Sequence, residues 1–401
     1  SPSQGREQRR RPVSRSVSAL RRWQSDLLAD EAIRMMRGLA HEQPAFLYLA
    51  YGAVHVPLSS PRAAQDARGV SDRLRERDPR RARYLGALGQ LDRGFERLMA
   101  ALRELDRAPH TFVLVSSDNG GPLPARVAPD SDYNGARNVP FRGGKHNVLE
   151  GGIRARAFVW MGERITGQEV REAGSAGGSL QRFQNPIHVV DWLPTFIEIA
   201  GWRLQRRSRH WQRIDEDADL GLVGKLAGPL DGVSLASALR LRKFNVTSSA
   251  HPALDVRSHH HGILLHAQFA GRDKLGGDLT FALRLGAYKL IVSQSWRALM
   301  VQPLVPATAW PNSSSGYWWG MPSRRRQGKR HAQANASRAG LLPCAVCSLD
   351  AFAGGLSSRP CALLFHLPSD PSEMRNLAIE NRTTTTHLCE RLASTLSSGM
   401  R

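Results

Sequence analysis

The sequence has 401 residues, 41% of them hydrophobic and 23% charged, which excludes a disordered chain and suits one large or two ordinary globular domains. No run approaches the ~18 consecutive apolar residues of a membrane helix. The net charge of +21, from 56 basic and 35 acidic residues, favours polyanionic partners such as nucleic acid, anionic lipid or sulfated glycan. Much of the excess, however, sits in arginine runs such as Arg9-Arg10-Arg11 and Arg324-Arg325-Arg326, which read as solvated tails and loops. No helix-turn-helix, zinc-finger or RNP pattern points to nucleic acid.

The chain opens on "SPSQGREQRRRPV", without an initiator Met or a signal pattern, so residues 1–22 read as a basic tail whose true beginning is expected upstream. Asp26 to Glu42 places Leu28, Ala32, Ile33, Met36 and Leu39 on one helical face. The apolar run Phe46 to Tyr51 reads as a buried strand, followed by Gly52, His55 and Pro57. Arg80 to Ala108 forms a second long amphipathic helix through Leu88, Leu91, Phe95, Leu98, Leu102 and Leu105. Strands follow at Thr111–Ser117 and Ala155–Met161, then a helix over His188–Trp202 closed by Gly201.

Helices alternating with apolar strands predict an α/β layer with a mainly parallel sheet sandwiched by helices. Functional groups in such layers gather beyond the carboxyl ends of the strands, where His55 and the pair Asp118-Asn119 both fall. This layer is expected over 23–249, with a charged insert at 203–228 and a last short helix at Leu230–Arg240. From 250 to 401 a smaller α+β subdomain is expected. It holds a hairpin at Phe281–Gln294, a loop-rich insert at 303–341, and a strand, turn and helix start over Cys361–Ala378.

Four cysteines fall late, at 344, 347, 361 and 389. Cys344 and Cys347 form a CxxC, but no second pair or HxxxH follows at zinc spacing. The run His259-His260-His261 reads as exposed loop without a metal. Asn-x-Ser/Thr triplets at Asn245, Asn312, Asn335 and Asn381 are candidate glycosylation sites. With the late cysteines they point to the secretory pathway and to a disulfide, with three pairings open.

The stretch "VLVSSDNGG" (113–121) ends a strand on a carboxylate, a carboxamide and two glycines. Asp118 and Asn119 offer two hard oxygens for calcium or magnesium, and the same pair would serve as a turn that caps its own backbone. "NVPFRGGKHNVLEGGIRARAFV" (138–159) then brings Arg142, Lys145 and Arg154 among its glycines. Glycines let a backbone approach an anion, and arginine with lysine suits a tetrahedral oxyanion. A solvated basic rim has the same composition. The nucleotide pattern GxxxxGK[ST] is absent there and at "GLVGKLAGP" (221–229). His55 could give a proton or hydrogen bond to a leaving oxygen beside such a site.

Taken in order, "FLYLAYGAVHVPL", "VLVSSDNGG", "PFRGGKHNVLEGGIRARAFV", "HVVDWLPTFIEIAGW" and "LDGVSLASALR" resemble successive blocks of the sulfatase family, most of all its arylsulfatase B branch. The resemblance continues through "LRLGAYKLI" and "LFHLPSDPSEMRNLA". It implies an alkaline-phosphatase-like α/β fold and calcium-dependent hydrolysis of sulfate esters, with sulfated glycosaminoglycan among the possible substrates, in a lysosomal or extracellular setting. By position, Asp118 and Asn119 match calcium ligands of the family. Lys145 matches the lysine that contacts sulfate, His55 the histidine near the leaving group, and Arg142 lies beside them as a further substrate contact. The family nucleophile is a formylglycine made within C/S-x-P/A-S-R, a motif these 401 residues do not contain. The family keeps it upstream with the remaining calcium ligands, so the expectation is a carboxy-terminal part of a sulfatase, inactive alone. The competing expectation is a non-catalytic relative that binds sulfated glycan through its basic surface.

Overall fold

The computed structural model describes residues 23–41, 43–123, 133–166, 183, 186–200, 202–204, 211–213, 232–236, 238–239, 263–269, 279–293, 345–347 and 361–399. Residues 1–22, most of the 203–228 insert, Gly201, the His259–His261 run, the 303–341 insert, Cys344 and the triplets at Asn245, Asn312 and Asn335 lie outside these. The chain forms two compact units, Ser1–Ala108 and Pro109–Arg401.

The first unit is helical. α1 (Gln24–Arg37) buries Ala29, Ala32, Ile33 and Met36, the face its periodicity predicts, and stops at Gly38. Ser71 caps α3 (Asp72–Arg77) by accepting from the Leu74 amide at 3.2 Å. α2 (Arg62–Asp66) precedes it. α4 (Pro79–Glu104) starts on Pro79, whose missing N–H costs nothing at a first helical position, and Asp78 accepts from the Arg81 amide at 3.0 Å. The deepest face of α4 carries Gly86, Gln90, Gly94, Leu98 and Leu102, whereas the expected Leu88, Leu91 and Phe95 are half-buried. Small residues are the reason. A Cβ at Gly94 would already touch the Ala29 side chain and the Ser25 carbonyl, so the helices meet on glycine, and the bulkier stripe flanks the contact. Arg97 pairs with Asp30 across the two helices, and Gln90 with Asp26.

Residues 46–51 depart from expectation. They are not a strand and pair with none among the described residues. Phe46 is 74% exposed and Tyr48 82%. An apolar run sets the preference for burial, but a buried strand also needs neighbours for its N–H and C=O groups, and those come from other parts of a fold.

In the second unit, β1 (Phe112–Ser116) pairs antiparallel with β2 (Ala157–Met161), from Phe112 opposite Met161 to Ser116 opposite Ala157. One turn of helix, α5 (Glu150–Ile153), lies between them in sequence. α6 (Glu163–Thr166) follows β2. The helix expected over 188–202 is a 3-10 turn at Val189–Asp191 running into α7 (Trp192–Ile199), with Ala200 rather than Gly201 at its C-cap. Buried Asp191 holds this corner: its carboxylate accepts from the His188 amide at 2.8 Å and the Val233 amide at 3.0 Å. β3 (Trp202–Leu204) and β4 (Trp211–Arg213) form a small antiparallel pair. The described part of 230–240 makes turns, not the expected helix, with Ala236 buried against Met161, Ile165 and Ile199.

The remaining strands, β5 (Ile263–Phe269), β6 (Leu279–Leu285), β7 (Tyr288–Ser293), β8 (Ala345–Val346) and β9 (Cys361–His366), build one antiparallel sheet in the order β5-β6-β7-β9-β8. The expected hairpin is β6–β7, turning through Gly286 at φ 57°, where glycine alone is unstrained. The sheet is covered on both faces, and so its strands read as continuous apolar runs. On one face Phe281, Leu283, Leu290, Val292 and Leu364 pack on Leu388, Leu392 and Leu396 of α8 (Arg382–Gly399). On the other, Ala282, Ile291, Leu363 and Phe365 pack on Val148 and Leu149 of the loop between β1 and β2. Cys347 is joined to Cys389, which settles one pairing, and Cys361 is a buried thiol in β9. The α/β class holds. Every strand pair among the described residues is antiparallel, so the mainly parallel pairing expected of the first layer is not found there.

Candidate functional site

β1 ends on Ser116, and Asp118-Asn119-Gly120-Gly121 turns away at its carboxyl end. Asp118 is exposed, and its carboxylate accepts no hydrogen bond and joins no ion pair among the described residues. The Asn119 amide donates to the Gly120 carbonyl at 2.9 Å. Asp118 therefore does not cap its own backbone, whereas Asn119 does hold a carbonyl of its own turn.

The turn is fixed from beneath by the 138–152 loop. Gly120 N–H donates to Gly152 O at 2.8 Å, and Lys145 N–H donates to Gly121 O at 3.0 Å. Asn138 clamps both segments. Its Oδ1 accepts from Gly121 N–H, and its Nδ2 donates to Gly121 O and Gly143 O, each at 2.9 Å. Glycine is required where these backbones meet, because a Cβ on Gly120 would fall well inside contact distance of the Gly151 carbonyl. Gly143 also adopts φ 84°. Lys145 is thus held to the Asp118 turn by a direct backbone hydrogen bond, and its side chain is half-buried.

Arg142 and Arg154 do not join it. Arg142 is 8% exposed, its Nη1 donates to the Glu373 carbonyl at 3.0 Å, and burial pushes its guanidinium below its ordinary value. The expectation of a substrate contact at Arg142 gives way to a structural role, since an arginine buried on a main-chain carbonyl braces the loop. Arg154 lies over the Phe141 ring at 4.5 Å and reaches Glu150 at 3.5 Å.

His55 belongs to the first unit. It is exposed on a turn, its N–H donating to the Gly52 carbonyl at 2.8 Å and its Nδ1–H to the Val56 carbonyl at 2.7 Å. The strand expected before it is absent. Asn381 caps α8, accepting from the Thr384 amide at 3.2 Å.

Beneath the loop lies a charged group that composition and spacing did not single out. Lys289 of β7 is wholly buried, with Nζ 2.9 Å from Glu150 and 2.7 Å from Glu373. The second approach is a charge contact rather than an aligned hydrogen bond. Glu373 Oε2 accepts from the Glu150 amide at 2.7 Å. Burial raises the Glu373 pKa, Lys289 opposes that, and the like charge of Glu150 adds to it. The only signal in the sequence is the lysine in the middle of an apolar hairpin strand, "AYKLIVS".

In donor type, Asp118 and Asn119 suit a hard cation, but two oxygens fall short of the six to eight that calcium takes. The described residues hold no cluster of three or more His, Cys, Asp or Glu able to bind a metal, and no described helix is long and apolar enough to cross a membrane. No described residue answers to the family nucleophile.

The sulfatase family model matches residues 8–202. Mouse arylsulfatase J is 33% identical over 179 residues, 44% of this chain and 24% of its own length. Human N-acetylgalactosamine-6-sulfatase is 32% identical over 178 residues, 44% of this chain and 28% of its own. The chain thus spans about a quarter of the length of these relatives. Among solved structures, that of Ps i-CgsB superposes with a TM-score of 0.51 at 18% identity, covering 92% of this chain and 54% of its own. That likeness extends the fold beyond the region of sequence similarity. Residues 8–202, the segment that carries both the Asp118 turn and Lys145, are thus similar to the sulfatase family.

Proposed function

We propose that this chain supplies the metal- and sulfate-binding part of a sulfuric ester hydrolase acting on sulfated sugars or aryl sulfates. The observation that carries the reading is the exposed, unengaged Asp118 carboxylate, fixed beside Lys145 through the Gly121–Lys145 hydrogen bond. Asp118 and Asn119 would give two oxygens to a calcium ion, whose positive charge would polarise the sulfuryl group when bound. The Lys145 ammonium would offset negative charge on the remaining sulfate oxygens as it accumulates. On the family resemblance alone, His55 is the candidate to hand a proton to the departing alcohol. Arg142 takes no part. The chain holds no C/S-x-P/A-S-R motif from which a formylglycine could be made.

The disulfide Cys347–Cys389 and the Asn381 triplet support a secretory, lysosomal or extracellular setting. The Asn381 cap uses the side-chain oxygen, which leaves its nitrogen to be the glycan acceptor.

The test is titration of the purified chain with calcium and with inorganic sulfate. Calcium should bind in the roughly millimolar range expected of few charged ligands, and Asp118→Ala should abolish it while changing stability by less than about 0.5 kcal/mol. Lys145→Ala should weaken sulfate about tenfold or more and spare calcium. Equal binding by both variants and the parent would refute the site, and a large stability loss in Asp118→Ala would return the turn to a structural role.

A further inference from the structure

We propose that Glu373, acting through Lys289 and Glu150, is a positioning residue for the anion site: a turn from the carboxy-terminal part of the chain sets where Lys145 stands against the Asp118 turn. This rests on the reading of Lys145 as a sulfate ligand.

Four contacts tie the two segments. Glu373 Oε2 accepts from the Glu150 amide at 2.7 Å, and the Glu373 carbonyl accepts from Arg142 Nη1 at 3.0 Å. Lys289 Nζ joins Glu150 to Glu373. Ser372 Oγ donates to the Pro140 carbonyl at 2.6 Å. The loop residues concerned, 140, 142 and 150, bracket Lys145 on both sides. Arg142 and Glu150 are in turn close in the loop, since Gly151 N–H donates to the Arg142 carbonyl at 2.7 Å. A shift of either would therefore be transmitted to Lys145 and, through the Gly121 carbonyl, to the turn bearing Asp118.

The turn that presents Glu373 is itself built to hold still. Asp370 accepts from the Met374 amide at 2.9 Å and the Arg375 amide at 2.8 Å, and the Glu373 amide donates to the Asp370 carbonyl at 3.1 Å. Glu373 adopts φ 56°, a left-handed conformation that a glutamate takes up only when its surroundings over-determine it. Two carboxylates and one ammonium are an expensive way to fill a core: apolar residues of the same volume would serve stability as well. What the charged group adds is direction. Each charge has one low-energy arrangement, whereas an apolar plug would let the loop slide over the sheet face under Val148 and Leu149.

The test is amide hydrogen exchange, read by mass spectrometry, on the parent chain and on Glu373→Gln. The substitution lies outside the sheet and leaves Lys289 paired with Glu150. Peptides covering Gly120, Lys145 and Gly151 should exchange about tenfold faster or more, while peptides covering 281–292 stay unchanged. Equal acceleration in both regions would reduce Glu373 to general stability, and unchanged loop peptides would remove its role; either overturns the proposal. Should Glu373→Gln not fold, Glu373→Asp, which keeps the charge and shortens its reach, decides in the same way. Inorganic sulfate separates the two readings. A parent chain that ignores sulfate overturns the anion site while the exchange result still judges Glu373. A parent chain that binds sulfate with an affinity unchanged in Glu373→Gln overturns the positioning.

Discussion

Replacing Lys289 by Met removes the buried cation that bridges Glu150 and Glu373 and keeps the side-chain volume. Nζ lies 2.9 Å and 2.7 Å from Glu150 and Glu373. At an effective dielectric of about 20, each contact is worth roughly 6 kcal/mol of attraction, against a desolvation cost of several kcal/mol per ion. The assembled group therefore comes out near neutral. The variant does not, because Glu150 and Glu373 are then left 2% and 0% exposed with like charges facing one another. Breaking a buried pair in this way costs about 3–5 kcal/mol, a large share of the ~5–15 kcal/mol that holds a protein folded. Urea and thermal unfolding followed by circular dichroism at neutral pH would read the loss directly. Acidification should shrink it, since protonating the stranded carboxylates removes the charge that the core cannot accommodate. Adding Glu373→Gln to Lys289→Met should recover part of it. A loss below about 1 kcal/mol, or one indifferent to pH, would refute the reasoning.

Gly120→Ala forces a Cβ against the Gly151 carbonyl; it should cost about 1–3 kcal/mol and weaken calcium, and a variant normal in both would contradict the close packing. The Cys347–Cys389 bond spans 42 residues, for which the loop-entropy relation gives about 4 kcal/mol; an unfolding midpoint indifferent to reductant would show that it does not constrain the unfolded chain. The pH dependence follows from Glu373, whose folded pKa is raised. It holds its proton more tightly folded than unfolded, so its contribution is complete below about pH 4.5, its ordinary value, and fades as pH rises through the raised value. Lys289 and Glu150 are the charged groups that act on it, and Arg142 faces it in turn. Relative to Glu373→Gln, the parent chain should therefore lose stability between mildly acid and neutral pH, and parallel pH profiles would contradict this.

Local pattern alone carried much of the fold. The apolar periodicity of α1, the apolar runs and turn of the β6–β7 hairpin, and the β1 and β2 runs each specify a local conformation, because the spacing of apolar side chains decides which backbone can bury them. The turn at Asp118 was legible for the same reason: a strand run ending on Asp-Asn-Gly-Gly has few other uses. Lys145 was legible through its glycine-rich surroundings and their resemblance to a known family.

Tertiary contacts decided the rest. Residues 46–51 have the composition of a strand, yet composition cannot provide the neighbouring backbone that makes one. Arg142 and Lys145 stand three residues apart in the same glycine-rich stretch. Only packing turned one inward onto the Glu373 carbonyl and tied the other to the turn bearing Asp118. Glu150, Lys289 and Glu373 are separated by as many as 223 residues, and nothing in their local sequences relates them. Their meeting follows from the sheet, which buries Lys289 on the face that supports the loop. The sequence by itself determined which charged residues stand in the glycine-rich stretch and where along the chain they fall. The tertiary structure decided which of them are buried and which are tied to the Asp118 turn, because a charge finds its partner through space and not along the chain.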